Sequence, residues 1–126
     1  MNAREEEKER VAVEFTDAEA DFLAEHGLCR LATVSKSMQP HVVPVAYAFD
    51  GTSIYFGGWS LTSSKKYRDI MANCKVAVVI DDLASTSPWV PSGVEIEGRA
   101  EPIEAGGSPS VRIVPTRKRS WGLGRD

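Results

Sequence analysis

Cysteine is scarce in this 126-residue chain. The two present, Cys29 and Cys74, lie far apart and form no CxxC pair. Neither a disulfide scaffold nor a thiolate metal site is read from them, and both are expected to be reduced and buried. Histidine is equally sparse. His26 and His41 stand at no ligating distance from acids or cysteines, so no metal is expected; His26 reads as a helix end and His41 as a strand start. There is no G-x-S-x-G and no convincing paired-carboxylate arrangement, so neither motif points to hydrolytic or paired-acid chemistry. No apolar run approaches the length of a bilayer span, and the opening "MNAREEEKER" lacks the apolar core of a signal peptide. The expectation is a cytoplasmic protein that does not engage a membrane.

What is present is an ordinary globular composition, 42% hydrophobic and 26% charged. The length is that of one domain. Residues 1–14 read as a flexible charged lead-in, and 15–126 as a single domain. The net charge of −3 is unevenly spread. From Arg112 onward there are five basic residues (Arg112, Arg117, Lys118, Arg119, Arg125) against Asp126, so the rest of the chain carries a surplus of seven acids. That basic end reads either as the contact for a local anion or as solubilising charge on an edge strand. Nucleic acid is not expected as a partner, because the chain is acidic overall and no aromatic platform runs along the basic residues.

The patterning gives one helix, three strands, a short helix and about three further strands. Thr16 and Glu19 have capping-box spacing ahead of Ala18, Phe22 and Leu23, which predicts a helix over Asp17 to His26 with Gly27 as its stop. "CRLATVS" places Leu31 and Thr33 on one face and Ala32 and Val34 on the other. "HVVPVAYAF" is a second strand whose Pro44 implies an edge or a bulge. The Asp50–Gly51 pair signals a hairpin into a third strand, "SIYFGG". "YRDIMANC" predicts a helix of about two turns. "KVAVVIDD" reads as a strand buried on both faces that ends in a turn at Asp81 and Asp82, and "STSPWVPSG" as a loop. "VEIEGRAEPI" alternates as a half-exposed strand. "VRIVPTRKRSWGL" is a final strand pair or one bent strand. Short strands with tight turns predict a mainly β fold, a small antiparallel barrel.

One stretch resists a purely structural reading. In "SLTSSKKYRD" either Ser63 or Ser64 can cap the short helix. Lys65 and Lys66 then fall in its first turn, where the helix dipole disfavours cations. An anion there would meet free N–H groups and ammonium groups, so "SSKK" reads as a phosphate site, with a solvated surface turn as the other reading. Gly57 and Gly58, just upstream, either let a flat ring approach or simply bend the strand end. A phosphate clamp with no metal or acid–base set suits a cofactor that carries its own chemistry.

In order, "RLATVS", "QPHVVPVAYAFD", "IYFGG", "SSKKYRDIMANCKVAVVIDD" and a terminal "SWGL" resemble the pyridoxamine 5′-phosphate oxidase-like split barrels. Among these, the chain is most similar to the short flavin/deazaflavin oxidoreductases that use coenzyme F420. The resemblance implies a six-stranded antiparallel split β-barrel working as a homodimer with cofactor at the interface. Ser64, Lys65 and Lys66 would grip the phosphate. Lys65 replaces an arginine and so loses its bidentate fork. Val43, Pro44 and Val45 would lie against the ring and Gly57 and Gly58 beside the ribityl chain. Trp121 would approach the ring from the partner subunit.

Departures from the family bear on the activity. The oxidases of vitamin B6 synthesis end in an Arg-rich substrate-binding segment, whereas this sequence reaches Asp126 just after "SWGLGRD". They also carry larger polar residues at the positions of Gly57 and Gly58. The roomier slot favours F420 over FMN, and Arg117, Lys118 and Arg119 could meet the acidic oligoglutamate tail of F420. The expected activity is hydride transfer from reduced F420 to an electron-poor double bond of a small molecule. Solvent, or the hydroxyl of Tyr47 or Tyr67, would supply the proton. The alternatives are an FMN-binding reductase of the same fold, or a non-catalytic flavin or deazaflavin carrier.

Overall fold

The computed structural model describes residues 13–124. The charged lead-in expected over residues 1–14 therefore lies outside the described residues, apart from Val13 and Glu14, as do Arg125 and Asp126. Helix α1, Asp17–Glu25, ends one residue short of the expected limit, with His26 as its C-cap. The capping box forms at its start. Thr16 Oγ1 accepts from the Glu19 N–H at 3.1 Å, and Glu19 Oε1 accepts from the Thr16 N–H at 2.9 Å. Ala18, Phe22 and Leu23 face the sheet and are buried.

Seven strands build one antiparallel sheet that curls into a half-barrel. They are β1 Leu28–Val34, β2 Pro40–Ala46, β3 Ala48–Phe49, β4 Ile54–Phe56, β5 Lys75–Thr86, β6 Trp89–Ala105 and β7 Ser108–Trp121. The spatial order is β2-β1-β5-β6-β7-β4-β3. The count exceeds the expected six because the "HVVPVAYAF" strand breaks at Tyr47, whose N–H turns to the Gly27 carbonyl and leaves a two-residue β3. Pro44 is tolerated because β2 is an edge strand. The Asp50–Gly51 turn forms as expected. Asp50 Oδ1 accepts from the N–H groups of Thr52 and Ser53, and Gly51 takes φ +100°.

Alternation sorts the two faces. Cys29, Leu31, Val76, Val78, Ile80, Val94, Ile96, Val111 and Ile113 pack inward with Phe22, Leu23, Ile54 and Phe56. Cys74 corrects the expectation that both cysteines are buried: it sits exposed at a junction between elements, while Cys29 is fully buried. Strand β5 is not covered on both faces either. Ala77 and Val79 face outward and are only half-buried.

Two further expectations change. Asp81 and Asp82 do not turn the chain; they continue β5, where Asp81 meets Arg30 and Asp82 accepts from His26 Nε2 at 3.2 Å. Nor is "STSPWVPSG" a loop. Residues 81–92 form a ribbon whose strands pair only with each other, turning at Ser87–Pro88. Pro91 fits there because no third strand needs an N–H donor at that position.

The last segment is one bent strand. Glu97 pairs with Arg117 and Gly98 with Pro115, so Thr116 is the extra residue of a bulge. The bulge resets the faces of β7. Lys118 and Ser120 turn inward to the Glu19 carboxylate on α1, while Arg117, Arg119 and Trp121 face outward.

Candidate cofactor site

The short helix α2, Lys65–Ala72, follows a 3₁₀ turn at Leu61–Ser63. Ser64 is its N-cap: its Oγ accepts from the Tyr67 N–H at 3.3 Å and donates to the Leu61 carbonyl at 2.6 Å. Ser63 donates to the Ser60 carbonyl. Both hydroxyls are thus spent on the turn, and what remains for an anion is backbone N–H and ammonium. The N–H groups of Lys65 and Lys66 lie in the first turn, beyond the helix's own ladder.

The two lysines have different surroundings. Lys65 Nζ reaches the carboxylate of Asp69, one turn on, at 3.2 and 3.3 Å. Lys66 is half-buried and has no ion-pair or hydrogen-bond partner among the described residues. Of the two, Lys66 is the lysine left without a partner among the described residues, while Lys65 is balanced by Asp69.

Asp69 was not legible as a site residue. It is 4% exposed and also accepts a hydrogen bond from Thr33 Oγ1 at 2.8 Å, with His41 Nδ1 at 3.9 Å. Burial pushes its carboxyl up, but the Thr33 hydroxyl and the Lys65 ammonium outweigh this and hold it below the usual carboxylate range. The cluster fastens α2 to β1. Its one sequence signal is the i, i+4 spacing of Lys65 and Asp69.

Of the strand residues expected at the ring, Val43 and Val45 point into the core and Pro44 faces out with Val42 and Ala46. What β2 offers a ligand is its free edge, where backbone groups not paired to β1 are open. Gly57 and Gly58 follow β4 and are exposed. A Cβ at Gly57 would meet Ser110 Oγ at 3.6 Å, one at Gly58 nothing within 4 Å, and Gly58 has φ +122°. The strand end is open, and its path past Gly58 requires glycine. Beside it stands Trp59, 98% exposed.

Trp121 is elsewhere. Phe56, at the end of β4, pairs with Val111, and Trp121 lies ten residues further along β7. At about 3.3 Å per residue that is on the order of 30 Å of strand. The indole lies over Gly93, where a Cβ would fall 2.5 Å from the ring. One copy of the chain therefore does not bring Trp121 to the Gly57–Gly58 end.

Nor do the C-terminal cations converge freely. Lys118 is bound to Glu19, Arg119 Nε lies 3.6 Å from Glu95, and Arg112 is paired to Glu101. Tyr47 is no proton donor to a ligand: it donates to the Leu23 carbonyl at 2.6 Å. Burial, with the Cys29 sulfur adding to it, pushes its phenol up to about 12. Tyr67 packs partly buried against the core. Among the described residues no group of three His, Cys, Asp or Glu side chains could hold a metal, and no helix is long and apolar enough to cross a membrane.

The family described as pyridoxamine 5′-phosphate oxidase matches residues 15–119. A 5a,11a-dehydrotetracycline/5a,11a-dehydrooxytetracycline reductase of Streptomyces rimosus is 36% identical over 123 residues, covering 89% of this chain and 86% of the relative. A conserved hypothetical protein from Mycobacterium tuberculosis superposes with a TM-score of 0.73 at 24% identity, over 90% of this chain and 89% of its own. A protein described as an F420 reductase superposes at 0.67 with 21% identity, over 83% of this chain and 98% of its own.

Proposed function

Because the chain belongs to the pyridoxamine 5′-phosphate oxidase family and is an oxidoreductase of that family, we propose that it binds reduced coenzyme F420 and reduces an electron-poor double bond of a small molecule. The observation that carries this reading is the Lys66 ammonium, unpartnered among the described residues, at the capped start of α2, a few residues from the open Gly57–Gly58 strand end. The relative from Streptomyces rimosus is a 5a,11a-dehydrotetracycline/5a,11a-dehydrooxytetracycline reductase, which supports a double bond as the acceptor.

The bound deazaflavin supplies the hydride; the chain supplies the slot. Lys66 and the first N–H groups of α2 hold the phosphate. The β2 edge around Val43, Pro44 and Val45 orients the ring, and the Gly57–Gly58 end admits the ribityl chain. The residues fit such a group: Lys66 suits an anion, and the strand end at Gly57 and Gly58 leaves room beside it. The protein's share of catalysis is then positioning and exclusion of water, with solvent protonating the product. Purified protein is expected to oxidise reduced F420 only when an acceptor such as a conjugated enone is added. Stoichiometric binding without turnover on a panel of enones and quinones would make it a carrier. Turnover with FMN alone would make it a flavin reductase.

We also propose that the working form is a homodimer. The outward face carries half-buried Ala32, Val34, Ala77 and Val79, and the ribbon carries Leu83 and Trp89, the latter 68% exposed. A two-stranded ribbon is marginal alone in water. A second copy would cover this face and bring its Trp121 toward the site. Sedimentation at micromolar concentration should give one dimeric species, and a monomer would contradict the shared site.

A further inference from the structure

Glu19 serves the α1 cap and a second, distant contact. It is 3% exposed, and its carboxylate accepts from the Thr16 N–H in the capping box. A capping box needs no more of it than that. Yet the same carboxylate also binds Lys118 and accepts from Ser120 Oγ at 2.6 Å, residues 99 and 101 positions further along the chain. Burial pushes the Glu19 carboxyl up, but the Lys118 ammonium, the Ser120 hydroxyl and the Thr16 N–H outweigh this and hold it below the usual carboxylate range. Lys118 is steadied from another side by Phe15, whose ring centre lies 5.8 Å from its Nζ.

The part of the fold held by this clamp is the end of β7. Side chains alternate along a strand, so Lys118 and Ser120 can face Glu19 only if Arg119 and Trp121 face out. The bulge at Thr116 sets that register. Without an acid at position 19, an ammonium and a hydroxyl would be turned inward with nothing to receive them. The clamp ends one residue before Trp121.

The indole is seated from the other side by glycines. Trp121 pairs with Gly93 across the ladder, and a Cβ at Gly93 would fall 2.5 Å from the ring and 3.0 Å from the Ile80 carbonyl. Gly122 follows at φ +67°, and a side chain there would run into the Pro91 carbonyl. One buried acid and two glycines thus hold a half-buried indole in a single place. It lies on the same outward face as the half-buried Ala77 and Val79, the face that a second copy would cover.

We infer that Glu19 is a positioning residue: through Lys118 and Ser120 it aims Trp121 at the cofactor ring bound by the second copy. This rests on the shared-site reading above and adds a residue that reading does not use. Glu19 itself touches no ligand.

The test is a double-mutant cycle on the full-length protein: Glu19→Gln, Trp121→Ala and the two together, titrated with F420 and with FMN by fluorescence. Glutamine keeps the capping box and removes the charge that holds Lys118. Trp121→Ala should weaken binding of the coenzyme roughly three- to tenfold, the range of one aromatic stacking contact. Glu19→Gln should weaken it about two- to fivefold, a part of that same contact. The double variant should match Trp121→Ala within about twofold, because residues that act through one contact are not additive. The near-ultraviolet circular dichroism that Trp121 contributes to the empty protein should shrink in Glu19→Gln, since that signal reports fixed packing. If Glu19→Gln does not fold, Ser120→Ala carries the same test, because it removes one arm of the clamp and leaves the ion pair. Losses that multiply in the double variant, or Trp121 dichroism and affinity unchanged in Glu19→Gln, would overturn the inference and leave the shared site standing on Trp121→Ala. Affinity unchanged in Trp121→Ala, or no binding of either coenzyme, would overturn both.

Discussion

Lys66→Ala is expected to weaken binding of the phosphate-bearing cofactor by about ten- to a hundredfold, the equivalent of roughly 1.5–3 kcal/mol for a charge-assisted hydrogen bond. The empty protein should not lose stability. Lys66 is half-buried without a partner among the described residues, in the first turn of a helix whose dipole repels it. Removing it should raise apo stability by a few tenths of a kcal/mol, at the low end of helix-dipole effects. Lys65→Ala should behave differently, because its ammonium balances Asp69. Its effect on binding should be smaller, and part of its cost should appear in the apo melting temperature. Calorimetric titration and thermal melting on the same two variants separate these outcomes. Affinity unchanged in Lys66→Ala for every phosphate-bearing flavin and deazaflavin would reduce the helix start to a capped turn.

Asp69→Ala is expected to cost about 2–4 kcal/mol of stability, the sum of a lost charge-assisted bond and a buried hydroxyl left without its acceptor. The hydroxyl is that of Thr33, itself 1% exposed. For a domain of this size the melting temperature should fall by roughly 10 °C. Cofactor affinity should fall too, because the cluster fixes α2 against β1. Asp69→Asn, which keeps an acceptor for Thr33, should recover part of the stability. The pH dependence follows from the lowered carboxyl. A depressed folded value contributes stability that is present above the unfolded value near 3.8 and is lost as the pH falls through the folded one. The stability difference between wild type and Asp69→Asn should therefore be constant near neutrality and shrink below about pH 4. A difference that grows as the solution is acidified would contradict this.

The sequence made some parts of this fold plain and hid others, for identifiable reasons. The α1 capping box, the Asp50–Gly51 turn and the Pro44 edge were legible because each is fixed by local chemistry within a few residues. The extension of β5 past Asp81 was hidden. Acids and prolines read as a loop, while the pairing with β6 and the contacts to Arg30 and His26, all distant in sequence, hold those acids in a strand. The bulge at Thr116 was hidden for a related reason: an alternating pattern does not disclose one extra residue, yet that residue decides which of the C-terminal cations face Glu19 and which face out. At the site, the helix start was legible because cations there conflict with the dipole. Which lysine is free was not, since that depends on how deeply Asp69 is buried.

The most direct measurement is titration of the purified protein with F420 and, separately, with FMN, following cofactor fluorescence. The account predicts micromolar or tighter binding of F420 at one per protomer, and weaker binding of FMN. Protein that purifies yellow with stoichiometric FMN and leaves F420 fluorescence unchanged would contradict it.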